Sequence, residues 1–175
     1  MTIAATTDQV ILRKKLLLSI ISSVDRVNSR KKLQKLVYLI DSLGWNVFED
    51  FRFHLYGPYS DHLFYELQNL IEANLIKETK TDNTYSYEIT EIGKSLLKTI
   101  NSENSYLEDR TLDVIAKLDS YNSEDLEIMA SLFYISNEYD GIGKEKLIDE
   151  LQDRKPHLTE DKIKPAFEVF DIMTR

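Results

Sequence analysis

The chain lacks cysteine altogether, and it is poor in glycine and proline, with five and three in 175 residues. Without thiols it has no disulfide framework, thiolate zinc site, iron–sulfur cluster or cysteine nucleophile. So few turn-formers disfavour a turn-rich β-sandwich or barrel and favour helices. Long apolar runs are also missing. Leu16–Ile21 is far too short to span a bilayer, and the N-terminal stretch Met1–Val10 carries Asp8 and no basic region, so a secretory leader is not expected. The expectation is a cytoplasmic protein with no membrane association. A hydrophobic fraction of 42% with 10% aromatics is enough for a folded core.

Charge is present but unevenly placed. Residues 1–100 hold 13 Lys/Arg and 12 Asp/Glu, a net of +1, while residues 101–175 hold 9 and 18, a net of -9. This break divides the reading into two parts, residues 1–100 and residues 106–175, joined by an Asn/Ser-rich linker at Asn101–Ser105. The acidic second part is repelled by nucleic acid.

Apolar periodicity sets out the elements. A helix is expected from about Asp8 to Val24, with Val10, Leu12, Leu16, Leu17, Ile20 and Ile21 inward and Arg13, Lys14 and Lys15 as an exposed strip. Ser29 caps a second helix, whose Leu33, Leu36, Val37, Ile40 and Leu43 share one face, with Gly44 just past its end. Arg52–Tyr56 reads as extended and is broken by Gly57-Pro58. Ser60 caps a third helix with Leu63, Leu67, Leu70 and Ile71 inward. Lys77–Ile89 alternates as a hairpin with its tip at Asp82-Asn83, and Thr90 caps a helix with Ile92, Leu96, Leu97 and Ile100 inward. Three helices, a hairpin and a helix form the order of a winged helix-turn-helix module, so residues 1–100 are read as winged-helix-like.

Residues 106–175 are expected to form an acidic helical subdomain packed on that module. Its helices run about Tyr106–Leu118, from a Ser123 cap through Leu126, Met129, Ala130 and Phe133, then to about Asp153, and from Thr159 through Ile163, Phe167 and Phe170. Asp140–Gly143 is a turn between two of them, and Pro165 either kinks the last helix or marks its first turn. The fold class is thus mainly α with a small β-hairpin.

Catalytic patterns are weak. His54, His62 and His157 lack metal-ligand spacing, and no Gly-rich dinucleotide loop, complete phosphate loop or nucleophile elbow occurs. Gly141-Ile-Gly143-Lys144 lacks the preceding strand that a phosphate loop needs. The acidic pairs Glu49-Asp50, Glu124-Asp125 and Glu160-Asp161 are adjacent in sequence and do not face each other, and two of them suit helix N-termini. No enzyme, metal or cofactor is expected.

Two features remain. The basic cluster Arg26, Arg30, Lys31, Lys32 and Lys35 is the strongest local charge, and Tyr56-Gly57-Pro58-Tyr59-Ser60 reads as a rigid bend with hydrogen-bonding tips. A partner-binding surface is expected at Tyr56, Gly57, Pro58, Tyr59 and Ser60 with Arg30, Lys31 and Lys35. The partner is another protein, and a homodimer is compatible with this reading. The alternative is a DNA-binding winged-helix regulator using Arg30, Lys32, Lys77, Lys80 and Asn83. It is disfavoured, because the third helix carries Asp61, Glu66 and Glu72 and no Lys or Arg to offer to bases.

Arg30–Ile40, Phe53, Tyr56-Gly-Pro-Tyr-Ser60, Leu67, Leu75-Ile76, Met129–Tyr134 and Lys155-Pro-His-Leu158 with Ala166 resemble the YwgA-type proteins of Firmicutes over roughly residues 29–170. More remotely, the same motifs resemble the Panacea/SocA-like antitoxin and phage-associated proteins, from which Tyr59-Ser60 departs where an aliphatic pair is usual. The resemblance implies a helical, winged-helix-like fold and no catalytic residues. It also implies a regulator that works by binding proteins, antitoxin- or adaptor-like and phage- or defence-associated.

Overall fold

The computed structural model describes residues 7–24, 26–48, 50–100, 106–139 and 141–174. Along the chain run α1 (Thr7–Ser23), α2 (Arg30–Ile40), β1 (Arg52–His54), β2 (Gly57–Tyr59), α3 (Asp61–Glu72), β3 (Ile76–Lys80) and β4 (Tyr85–Ile89). They are followed by α4 (Glu91–Ile100), α5 (Tyr106–Asp119), α6 (Ser123–Glu138), α7 (Lys144–Arg154) and α8 (Glu160–Thr174). The protein is mainly helical with two small antiparallel sheets, β1–β2 and β3–β4. Among the described residues no helix is long and apolar enough to cross a membrane. The expected linker Asn101–Ser105, the segment 1–6, Glu49 and Asp140 lie outside the described residues.

The local signals act as their chemistry dictates. Ser29 and Ser60 accept hydrogen bonds from Lys32 N and Leu63 N at the starts of α2 and α3, each at 2.9 Å. Thr90 Oγ1 accepts from Gly93 N at 3.0 Å ahead of α4. Residues Lys80 and Tyr85 pair across the Asp82-Asn83 tip. At α6 the cap is Asn122 rather than Ser123, and its side chain accepts from both Glu124 N and Asp125 N. Pro165 sits inside α8 rather than in its first turn.

Three expectations are corrected. The second helix does not end at Gly44. It widens into a π-turn over Asp41–Trp45, in which Asn46 N donates to Asp41 O, and Asn46 takes the left-handed conformation that ends it. Buried Asp41 holds this exit by accepting from Val47 N and Phe48 N. The strip on α1 is not freely exposed: Arg13 donates to Val47 O and Lys14 pairs with Glu66, while Leu12 is exposed. Ile92 is likewise exposed, so α4 packs through a narrower face than its pattern predicts.

One continuous apolar core runs through both charge halves. Its centre is α6, whose Leu126, Ile128, Met129, Ala130, Leu132, Phe133 and Ile135 are all buried. This helix packs on α2, α7, α8 and β2, so the β1–β2 hairpin is seated on it. On the other side, α1 packs against α2, α3, α4 and β4. Val27, between α1 and α2, pairs its backbone with Tyr87 of β4 in both directions, adding a third element to the β3–β4 sheet.

At Gly93 of α4 the helix lies tight against Leu75 and Ile89, an approach that the sequence did not flag. A Cβ there would lie 2.2 Å from Leu75 O and 2.8 Å from Ile89 Cγ1. Replacing an interior helical glycine by alanine ordinarily stabilises a helix by up to about 1 kcal/mol. Here Gly93→Ala is expected to destabilise by about 1–3 kcal/mol, because the backbone must move apart. Denaturant melts measure this, and a neutral or stabilised variant would contradict the packing.

Candidate functional site

The candidate site grows from the β1–β2 hairpin. Its register pairs Arg52 with Tyr59, Phe53 with Pro58 and His54 with Gly57, which leaves Leu55-Tyr56 as the two-residue turn. Gly57-Pro58 therefore forms part of the second strand and does not end the first. Gly57 has φ +82°, and a Cβ there would press on Ser131 Oγ at 3.1 Å and Lys35 Cε at 3.3 Å. Glycine supplies both the conformation and the clearance. Ser60 closes the hairpin: its backbone N–H donates to Gln34 Oε1, its carbonyl accepts from Gln34 Nε2, and its hydroxyl donates to Asp50.

Between the hairpin and α2 lies a cleft of about 350 Å³. Six of the residues expected to bind a partner line it: Arg30, Lys31, Lys35, Tyr56, Gly57 and Tyr59. Pro58 and Ser60 are buried beside it and shape it without lining it. Leu55 and Tyr56 stand out at the hairpin turn, 69% and 49% exposed, and Tyr59 is half-buried. Lys31 Nζ lies 3.2 Å from the centroid of the Tyr56 ring.

The basic cluster is split by the fold. Lys35 is only 3% exposed and donates to Pro58 O at 2.6 Å. Arg30 donates to Tyr87 Oη and Glu78 Oε2, and its guanidinium lies 3.8 Å from the centre of the Tyr85 ring. Lys32 pairs with Asp119 at 2.7 Å and Arg26 with Glu88 at 2.6 Å. The residues of the nucleic-acid alternative are not gathered into one free basic surface: Arg30 and Lys32 are held in these pairs. Lys77, Lys80 and Asn83 are exposed on the β3–β4 hairpin.

Beneath the cleft lies a group that the sequence reading missed. Lys155, just past α7 and 1% exposed, donates to Leu55 O and to Glu127 Oε1, both at 2.5 Å. Lys35 and Lys155 thus each hold one backbone carbonyl of the hairpin. Burial is the main cause that pulls the Lys35 ammonium down to about 8 from 10.5; Glu127 opposes this, and Lys155 and Lys31 add to it. Burial also raises the Tyr59 phenol. A signal for Glu127 was available, since Glu127, Ser131 and Tyr134 stand four and three apart, on one face of α6. Tyr134 on that face meets Phe53 of β1 at 5.4 Å.

The chain is 28% identical over 138 residues to the uncharacterized protein YwgA of Bacillus subtilis (strain 168), a match covering 75% of this chain and 79% of that protein. The likeness extends over most of both chains. No family model matches the chain. For this YwgA-like chain the site is a cleft lined by cations, rings and a glycine, and among the described residues no group of three His, Asp or Glu is placed to hold a metal ion.

The burial of Lys35 has a pH signature. The folded chain binds the Lys35 proton less tightly than the unfolded chain, so between about pH 8 and pH 10.5 the unfolded state holds more of it. The penalty from this group is present below about pH 8 and is relieved as pH rises towards 10.5. Lys35→Met lacks the group. The stability of the wild type relative to Lys35→Met is therefore expected to rise across that window by on the order of 2–3 kcal/mol. Denaturant melts at both ends of the window measure it, and a constant difference would contradict the burial.

Proposed function

We propose that this protein is a non-enzymatic regulator that acts by binding another protein in the cleft between α2 and the β1–β2 hairpin. The observation that carries this reading is the meeting, in one cleft, of two sequence features 20 to 30 residues apart, the basic helix face and the Tyr-Gly-Pro-Tyr segment. Exposed Leu55 and Tyr56 at its mouth gain from being covered, and a tyrosine is an anchor of the kind that protein interfaces favour. The hairpin is already seated on α6, so its ordering is not charged against binding.

In this reading residues 1–100 form a winged-helix-like module, with α1, α2 and α3 followed by the β3–β4 wing and α4. The Val27–Tyr87 bridge supports this by supplying the third sheet element. The module serves protein recognition. Asp61 and Glu72 lie exposed on α3, Arg30 and Lys32 are engaged by carboxylates, and α5 to α8 carry a large excess of acid. The role is antitoxin- or adaptor-like, as in the Panacea/SocA-like proteins, in the cytoplasm, and a homodimer is compatible with it.

Tyr56→Ala separates this reading from a purely structural hairpin. The side chain is half in solvent, so the variant is expected to melt within about 2 °C of the wild type. In affinity capture from the native host, followed by mass spectrometry, it is expected to lose the protein that the wild type retains. A stable variant that retains the same protein would overturn the cleft as the partner site.

A further inference from the structure

The charge count beneath the hairpin is unbalanced. Lys35 and Lys155 are both buried, and the carboxylate that acts on both among the described residues, Glu127, already accepts from Lys155 at 2.5 Å and has His157 Nε2 at 4.0 Å. The groups facing Lys35 are Lys31 and Arg30 on α2, Glu127 on α6, Lys155 beyond α7, and His54 and Tyr59 on the two strands. Among the described residues cations outnumber acids, and no Asp or Glu lines the cleft. A buried ammonium without its own counter-charge is expensive unless it gives up its proton or gains an anion. Lys35 donates to the Pro58 carbonyl, whereas an ammonium has three N–H groups to give. The Gln34 amide is turned to Ser60 at both its ends, its Oε1 accepting from Ser60 N and its Nε2 donating to Ser60 O.

We propose that this cleft recognises a carboxylate: an Asp or Glu side chain of the partner protein enters towards Lys35 and Lys31, with an apolar neighbour lying on Leu55 and Tyr56. This inference rests on the reading of the cleft as the partner site and adds the chemistry of what enters it. The cations inside select the acid, and the exposed Leu55 and Tyr56 at the mouth take the aliphatic flank. Lys31, already on the Tyr56 ring, is placed between the two parts of such a ligand. Binding draws on the charged form of Lys35, so it weakens as pH rises above about 8.

The test uses the full chain, nitrogen-labelled for NMR, with three probes: the blocked peptide acetyl-Leu-Glu-Leu-amide, its Gln counterpart, and inorganic phosphate. At neutral pH the Glu peptide is expected to shift the amides of Gly57 and Tyr59, to raise the titration midpoint of the Lys35 ammonium, and to bind about ten-fold or more tightly than the Gln peptide. Lys35→Met is expected to abolish that discrimination. Should that variant fail to fold, Lys31→Ala, at the rim, is expected to weaken the Glu peptide several-fold and leave the Gln peptide unchanged. Equal binding of the two peptides, no binding of the Glu peptide, or discrimination that survives both substitutions would overturn the inference. So would phosphate binding more tightly than the Glu peptide, which would assign the cleft to a phosphorylated ligand. Loss of partner capture in Tyr56→Ala alongside equal peptide binding would leave the partner site standing and remove only its carboxylate chemistry.

Discussion

Two buried ammonium groups hold the β1–β2 hairpin from below: Lys35 of α2 on Pro58 O and Lys155 on Leu55 O. The hairpin is three residues long on each side and too short to be stable alone. Its place is set by these lysines, by Gln34 on Ser60, and by the seat that α6 provides. Everything about the cleft follows from that arrangement. The side chains of Leu55 and Tyr56 stand exposed at a turn whose backbone is held at Leu55 O, and Gly57 is required because the backbone passes so close to Ser131 and Lys35. Burying two lysines with one glutamate is a costly way to hold a hairpin, and a site that takes an anion accounts for it.

The charge asymmetry has a structural use as well. Some of the acid in the second half serves helix starts: Glu124 and Asp125 open α6 and Glu160 and Asp161 open α8, where negative charge favours the helix dipole. Glu127 is turned towards the hairpin and bound to Lys155. Across the two halves, Lys32 reaches Asp119 of α5, and Trp45 Nε1 donates to Thr111 at 2.8 Å. The change in surface charge near residue 100 thus coexists with one continuous core.

The parts legible in the sequence are those set by short-range chemistry. The caps Ser29, Ser60 and Thr90, the buried stripes of α2, α3 and α6, and the hairpin tip at Asp82-Asn83 depend on neighbours within a turn or two. What escaped depends on approaches from far along the chain. Gly44 looked like a helix end, but buried Asp41 gathers the backbone of Val47 and Phe48 and carries the helix one wider turn onward. Lys35 looked like part of an exposed basic face; α6 and the hairpin cover it. Lys155 lies 100 residues from the carbonyl it holds, and no local pattern encodes that. Of the site, the sequence pointed to Arg30, Lys31, Lys35, Tyr56, Gly57 and Tyr59 among the lining residues, but not to Gln34, His54 or Leu55, nor to the burial of Lys35 beside Lys155 and Glu127.

Native-state hydrogen exchange on Lys155→Met tests most directly whether buried lysines hold the hairpin. The account predicts that protection falls selectively at residues 52–59 while the β3–β4 amides, which do not contact Lys155 through the hairpin, keep theirs. Unchanged protection of residues 52–59, or an equal fall in both sheets, would contradict it.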